Sequence, residues 1–242
     1  MNTEPIEAVI FDWGGTLSRW ADGDVVDTLW RPAAEVLSAD RVDELHEALR
    51  DAESGTWQSL KGGQESARLN EIVAAAAISA GLTNVDHLHD DAAQAYLNAW
   101  SPLIVHHPDA LPVLAACQAI GLRTGLLSNT HWPASFHNML LERDGLDAYL
   151  DACVYTSDLT HMKPHPIAFR AALKAVGAPA QRTVFVGDRL HDDIFGAQQS
   201  GMRAVYVTHG MDDAFDATPD ATIHSLTELI PVLERWLDLG RA

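Results

Sequence analysis

A short apolar run that ends on an acid constrains the fold more than any other feature of this chain. Residues 6–11 read Ile-Glu-Ala-Val-Ile-Phe, and Asp12, Trp13, Gly14 and Gly15 follow them. Such a run predicts a buried strand, and the glycines predict a tight loop after it. In open α/β folds the functional residues lie at the carboxyl ends of central strands. Asp12 is therefore a candidate functional acid, and the alternative is a residue that only caps the next turn.

From about residue 108 onward, strand and helix patterns alternate. The predicted strands are 123–128, 152–156, 183–188, 204–207 and a short edge strand at 221–223. The predicted helices between and after them are 111–120, 133–143, 167–176, 193–200 and 226–239. Alternation at this spacing predicts a parallel sheet with helices on both faces, and the strand before Asp12 belongs to it.

The region from about residue 24 to 101 shows helical patterns without a strand. Asp40 is expected to cap its second helix, and Gly62-Gly63 are expected to interrupt the helical run. The predicted helices are 24–37, 40–49, 65–80 and 86–100. The expected fold class is therefore α/β: a doubly wound, Rossmann-like parallel sheet core with an inserted α-helical cap domain. The core is predicted at 1–17 and 107–242 and the cap at 18–106.

Three later segments also place polar residues at the ends of predicted strands or before helices. They contribute Ser128, Lys163 and Asp188. Because the carboxyl ends of neighbouring strands meet in one crevice, we expect these residues to lie near Asp12. Two acids there would hold Mg²⁺, and a lysine and a hydroxyl suit phosphate oxygens. Asp12 would then attack phosphorus and form an aspartyl-phosphate.

The order of these motifs resembles that of the haloacid dehalogenase-like hydrolase superfamily, in its helical-cap (C1-type) subgroup, over essentially the whole chain. The four matching stretches are Asp12–Leu17, Leu126–Asn129, Lys163–Phe169, and Val184–Asp188 with the Asp192–Ala197 that follows. The resemblance implies Asp12 as nucleophile, with Ser128 and Lys163 as further catalytic residues that bind the phosphoryl group.

The same resemblance implies Mg²⁺ as the cofactor. Its ligands would be Asp12, Asp188, the backbone carbonyl of Gly14 and an outer acid. That outer acid is expected to be Asp193, and Asp192 is the less favoured alternative.

Four residues are predicted to bind substrate. Thr16 and Asn129 stand within the first and second motifs, and His131 follows the second. Lys61 is the only lysine of the cap and is expected in a flexible loop beside Gly62, where a solvated lysine is the favoured interpretation and a substrate contact is the alternative. In the family, such a cap closes over the crevice and supplies specificity.

Gly14 departs from the pattern of the family's phosphatases, which usually carry a second aspartate there. That acid protonates the leaving alcohol and then activates water, and such help is worth roughly 10²–10⁴-fold. The candidate replacements are Asp22, Asp24, His131 and Asp192.

Four functions are weighed because of Gly14. The favoured one is a Mg²⁺-dependent hydrolase of a small phosphorylated metabolite. A second resembles phosphonoacetaldehyde hydrolases, whose first motif reads Asp-Trp-Ala-Gly-Thr and whose cap lysine forms an imine, a role open here to Lys61. A third is a haloacid dehalogenase, although Asp188 after Gly187 is the metal-binding form of the last motif. The fourth is a catalytically weak member that binds a ligand or partner protein.

Composition bounds the partners and the compartment. The chain has 16 basic and 34 acidic residues and a formal charge of −18, so nucleic acid is not an expected partner. No apolar run approaches the roughly 18 residues of a membrane span. Cys117 and Cys153 are isolated and expected to be reduced. We therefore expect a cytoplasmic protein, a monomer or homodimer, whose partner is a small phosphorylated substrate and not a membrane.

Overall fold

The computed structural model describes residues 4–21, 23–208 and 215–238. Within these residues six strands form one sheet: β1 (Ala8–Phe11), β2 (Arg123–Ser128), β3 (Ala152–Tyr155), β4 (Thr183–Gly187), β5 (Arg203–Val207) and β6 (Ala221–Ile223). All neighbouring strands are parallel, in the order β3-β2-β1-β4-β5-β6. The predicted doubly wound parallel sheet is confirmed.

In the described part of the chain between β1 and β2, five α-helices precede the helix that leads into β2. They are α1 (Gly23–Val26), α2 (Arg31–Leu37), α3 (Val42–Gly63), α4 (Leu69–Ser79) and α5 (His89–Trp100). The remaining helices alternate with the strands: α6 (Ala110–Ala119), α7 (Ala134–Arg143), α8 (Pro166–Val176), α9 (Gly196–Gln199) and α10 (Leu229–Asp238). None of the helices described is both long enough and apolar enough to cross a bilayer.

Strand β1 is buried along its whole length because helices cover both faces of the sheet. Val9 and Phe11 belong to one apolar cluster, which extends into the inserted helices. Ala8 and Ile10 point to the opposite face and pack in a second cluster with residues of α8 and α9. This period of two holds the strand that ends on Asp12 between two apolar layers.

The two chain crossings between the sheet and the inserted helices lie side by side. Ser18 and His106 form an isolated bridge. Arg19 N donates to Val105 O at 2.9 Å, and His107 N donates to Leu17 O at 2.7 Å. These crossings coincide with the predicted junctions at 17/18 and 106/107, which supports the proposed division into core and cap.

Local details of the insert differ from the sequence-based predictions. Helix α3 continues through Gly62-Gly63 and ends where Gln64 takes a left-handed conformation with φ 56°. Glycine in a helix costs only about 1 kcal/mol, so it did not interrupt this one. Asp40 lies in a 3₁₀ turn and does not cap α3, which begins after Arg41.

Two predicted helices are also split. The segment 24–37 forms α1 and α2, because Pro32 occupies the first turn of α2 and cannot continue a preceding helix. The segment 193–200 forms a π-helical turn, Leu190–Phe195, followed by the short α9.

Two helical glycines allow a matched test of the packing between α8 and α9. A Cβ at Gly196 would stand 2.6 Å from Phe169 and 2.9 Å from Pro164, whereas a Cβ at the exposed Gly55 meets nothing within 4 Å. Gly196→Ala is therefore expected to lower the free energy of unfolding by about 1–3 kcal/mol. Gly55→Ala is expected to raise it by roughly 0.5–1 kcal/mol. Urea unfolding of both variants measures this contrast, and equal effects would contradict the described packing.

Candidate active site

Sheet register brings three predicted site residues to one edge. Phe11 lies level with Leu126 of β2 and with Val186 of β4. Asp12, Ser128 and Asp188 follow these positions by one or two residues, and all three are buried. The sheet therefore places a carboxylate, a hydroxyl and a second carboxylate beside one another at its carboxyl edge.

Lys163 reaches the same edge from the loop between β3 and α8. Asn129 fixes that loop: its Oδ1 accepts from Lys163 N at 2.8 Å, and its Nδ2 donates to Lys163 O at 2.9 Å. The side chain predicted to bind substrate thus holds the backbone of Lys163. Asn129 acts here as a positioning residue.

The Lys163 ammonium bridges two carboxylates. Its Nζ lies 2.5 Å from Asp12 Oδ1 and 2.7 Å from Asp193 Oδ1. Burial opposes the charge on Lys163, but the carboxylates of Asp12 and Asp193 outweigh it and raise the pKa of the ammonium above its usual value. The lysine is therefore held charged in an interior position.

Three buried carboxylates lie close together, and two of them contact this lysine. One oxygen from each of Asp12, Asp188 and Asp193 lies within 4.8 Å of the others. Burial and the charges of Asp12 and Asp193 raise the pKa of Asp188 to about 8. Burial also raises the pKa of Asp193 to about 6, against the opposing charge of Lys163. The cluster is short of positive charge, and its oxygen donors suit a hard divalent cation such as Mg²⁺.

The structure separates the two candidate outer acids. The π-helical turn directs Asp193 inward, where it is fully buried and its Oδ2 accepts from Arg189 N at 3.0 Å. Asp192 points elsewhere, with its Oδ1 2.9 Å from His191 Nδ1. Asp193, and not Asp192, is therefore the acid that lies beside Asp12 and Lys163.

The loop after β1 lies against Asp188. Thr16 Oγ1 donates to Asp188 Oδ1 at 3.4 Å, so this predicted substrate residue contacts a carboxylate. Gly15 has φ +86°, and a Cβ there would stand 2.2 Å from Asp188 Oδ2. Only glycine fits this position, because the backbone is left-handed and the carboxylate is too close for a side chain.

Trp20 contacts Asp188, a partner that the sequence did not indicate. Its Nε1 donates to Asp188 Oδ2 at 3.3 Å, and a Cβ at Gly14 would lie 3.3 Å from its Cη2. The exposed indole thus covers the position where an aspartate was expected. The glycines that leave room for this ring were visible in the sequence, but the ring's direction was not.

His131 is buried at the junction with the inserted helices. Its Nε2 lies 3.2 Å from Glu53 Oε1 of α3, within ion-pair distance although not aligned for a hydrogen bond. Burial lowers the pKa of His131, against the opposing charge of Glu53. Glu53 also accepts from Trp30 Nε1 at 2.7 Å and from Tyr96 OH at 2.9 Å. This histidine therefore faces a cap carboxylate, a partner that sequence reasoning missed.

The structure also locates Lys61 and Trp13. Lys61 lies in the last turns of α3 and not in a loop; its side chain is outside the described residues. Trp13 is a packed aromatic: its Nε1 donates to His106 Nε2 at 3.1 Å, and its ring meets His137 edge-on at 4.6 Å.

The segment between α3 and α4 packs beside the loops that carry Ser128 and Lys163. Met162 N donates to Gln64 O at 2.8 Å, and Ser66 N donates to Thr160 O at 3.0 Å. Leu69 N donates to His131 O at 2.9 Å. The inserted helices are therefore tied to the segments that precede Lys163 and follow Ser128.

Comparison with known proteins defines the family. Residues 6–201 match the family model described as haloacid dehalogenase-like hydrolase. The chain belongs to this family, which confirms the resemblance seen in its four motifs. A solved structure of a 2-haloacid dehalogenase from Pseudomonas syringae pv. Tomato DC3000 is 28% identical, with a TM-score of 0.74 over 96% of this chain and 99% of that one.

Two curated relatives are named as phosphatases. A glyceraldehyde 3-phosphate phosphatase of Methanocaldococcus jannaschii is 30% identical over 57% of this chain and 61% of its own length. A pyrophosphatase PpaX of Bacillus mycoides is 33% identical over 40% of this chain and 46% of its own length. The chain thus spans less than two thirds of these relatives.

The carboxylate cluster predicts how the protein responds to Mg²⁺. A ligand that binds only the folded state at a hundredfold excess over its Kd stabilises it by about 2.7 kcal/mol, so Mg²⁺ is expected to raise Tm. Asp188→Asn is expected to be at least as stable without metal, because it relieves repulsion among carboxylates, and to lose most of the Mg²⁺ effect. Asp192→Asn is the matched control and should keep it. Equal Mg²⁺ shifts in the wild type and Asp188→Asn would contradict the site.

Proposed function

We propose that this chain is a Mg²⁺-dependent hydrolase of small phosphorylated metabolites that works through an aspartyl-phosphate. The observation that carries the proposal is the buried contact of Asp12 with Lys163 inside a cluster of three carboxylates. The phosphatase names of two relatives support the same class of substrate.

Each residue has a role that follows from its position. Asp12, at the end of β1, supplies the nucleophilic carboxylate oxygen. Lys163 donates to Asp12 Oδ1 and offers positive charge to the oxygens of the transferring phosphoryl group. Ser128, buried at the end of β2, supplies a hydroxyl donor for the same oxygens. Thr16 and Asn129 hold Asp188 and Lys163 in place.

Asp12, Asp188, Asp193 and the carbonyl of Gly14 would hold the metal. Bound Mg²⁺ supplies positive charge that offsets the three carboxylates and the phosphate oxygens. A dianionic phosphate could otherwise approach this acidic crevice only against repulsion.

The candidates for the missing acid divide into two groups. Asp22 and the side chain of Asp24 lie outside the described residues. His131 faces Glu53, and Asp192 faces His191, so both are engaged away from the Asp12–Lys163 contact. We therefore propose that neither His131 nor Asp192 takes the role of the acid that is missing at position 14.

A haloacid dehalogenase is the second candidate, favoured by the solved structure that is similar over 96% of this chain. The same Asp12 would attack carbon, without metal or acid. The convergence of Asp188 and Asp193 on the nucleophile argues against it, because a reaction at carbon makes no use of two further buried carboxylates.

The remaining expectations stay proposals. We propose a cytoplasmic protein, consistent with Cys117 and Cys153 as free thiols, acting as a monomer or homodimer. The formal charge of −18 supports a small-molecule partner over nucleic acid.

Removing the nucleophile tests the proposal. Asp12→Asn is expected to lower phosphate release from a panel of phosphorylated metabolites by on the order of 10³-fold or more, since an amide is a poor nucleophile. The exposed Asp40 of the 3₁₀ turn offers a matched control, and Asp40→Asn should keep full activity. Halide release from haloacids without Mg²⁺, together with no phosphate release from any member of the panel, would favour the dehalogenase.

A further inference from the structure

A tryptophan covers the position beside the nucleophile where a proton donor would stand. The Trp20 ring lies over Gly14, with its Cη2 3.3 Å from where a Cβ would be, and its Nε1 donates to Asp188 Oδ2 at 3.3 Å. An aspartate at position 14 would crowd this ring, because a Cβ contact of 3.3 Å already requires the indole to shift by a few tenths of an ångström. The described site thus offers the leaving group an aromatic surface in place of an acid.

An arginine lies on the same ring. The Arg189 guanidinium is 5.2 Å from the centre of the Trp20 ring, in cation–π contact. Its side chain is 39% exposed, and its ion-pair contact with Asp192 is long, at 3.9 Å. Arg189 directly follows Asp188, and its N donates to Asp193 Oδ2 at 3.0 Å, which places the residue beside the carboxylate cluster. A half-exposed cation therefore borders the leaving-group side of the crevice.

The Trp20 ring over Gly14 and the Arg189 guanidinium together restrict the kind of leaving group that the site would accept. Of the candidate acids that the structure describes, neither His131 nor Asp192 faces this position. A group that departs without a proton from such an acid must be a weak base. A cation at its position favours a group that carries negative charge of its own. We propose that the substrate is a phosphoric anhydride whose leaving portion already carries a negative charge before the bond breaks. Arg189, in contact with the Trp20 ring, recognises that charge. This proposal rests on the phosphohydrolase function given above.

The reaction then needs no proton donor in its first step. An Asp12 oxygen bonds to phosphorus while the bridging phosphorus–oxygen bond breaks, and its electron pair leaves on the bridging oxygen of the anionic leaving group. Water then bonds to phosphorus, the bond from phosphorus to Asp12 breaks, and the carboxylate is regenerated. Both protons of the water leave on dihydrogen phosphate.

The ring's occupation of this space can be tested separately. Gly14→Asp combined with Trp20→Ala is expected to raise hydrolysis of glycerol phosphate, an alkyl ester, by about 10²-fold or more. Gly14→Asp alone should gain far less, because the indole crowds the new carboxylate. An equal gain in the single variant would show that Trp20 does not fill the space.

Three probes separate leaving-group quality from leaving-group charge. Inorganic pyrophosphate is an anhydride with an anionic leaving portion, acetyl phosphate is an anhydride with an uncharged acyl group, and glycerol phosphate is an alkyl ester. With Mg²⁺ in excess, both anhydrides are expected to exceed glycerol phosphate in kcat/KM by at least about 10²-fold.

Arg189→Gln tests recognition of the charge. It is expected to raise the KM for pyrophosphate about tenfold or more, as the loss of one charged hydrogen bond does, while the KM for acetyl phosphate changes little. Arg189→Lys should restore part of the loss. Arg235→Gln, on the exposed face of α10, is the matched control and should change neither.

The outcomes separate the two proposals. A selective loss on pyrophosphate supports the role of Arg189, and an equal change on both anhydrides overturns it. Glycerol phosphate turned over as fast as the anhydrides overturns the substrate class but leaves a phosphohydrolase. No Mg²⁺-dependent hydrolysis of any of the three, nor of p-nitrophenyl phosphate, overturns the proposed function itself.

Discussion

The buried ion pair between Lys163 and Asp12 is the interaction on which the rest of the site depends. An ammonium and a carboxylate in the interior are costly unless each finds partners, and breaking such a pair leaves an uncompensated charge. Here Lys163 also contacts Asp193, and Asn129 holds its backbone from both sides. The arrangement leaves the three-carboxylate cluster short of positive charge, which favours the binding of a divalent cation.

The parallel sheet brings these groups together. Parallel register carries Asp12, Ser128 and Asp188 to one edge, and the apolar layers on both faces hold the strands that present them. The inserted helices then dock through hydrogen bonds beside the loops of Ser128 and Lys163. Backbone hydrogen bonds thus link the inserted helices to the segments beside Ser128 and Lys163, and the Lys163 side chain contacts Asp12. A shift of the inserted helices is therefore expected to change the geometry around Asp12.

Much of the site could be predicted from the sequence because short local patterns indicate its residues. A strand that ends on Asp12 or on Asp188 is visible within a few residues, and parallel strands make such ends converge. The contact of Trp20 with Asp188 spans 168 positions and depends on a side-chain direction that no local pattern encodes. Asn129 was assigned to substrate because an amide has the same sequence signal whether it holds a ligand or a backbone. The run of α3 through Gly62-Gly63 shows tertiary packing overriding a weak local preference.

The stereochemistry at phosphorus tests the central claim, a covalent intermediate on Asp12, most directly. A substrate made chiral at its transferable phosphorus by oxygen isotopes and sulfur is hydrolysed in water of a further isotope, and the configuration of the released thiophosphate is determined. Each in-line displacement inverts the phosphorus centre, so attack by Asp12 followed by attack by water predicts overall retention. Overall inversion would show that water attacks the substrate directly and would contradict the role assigned to Asp12.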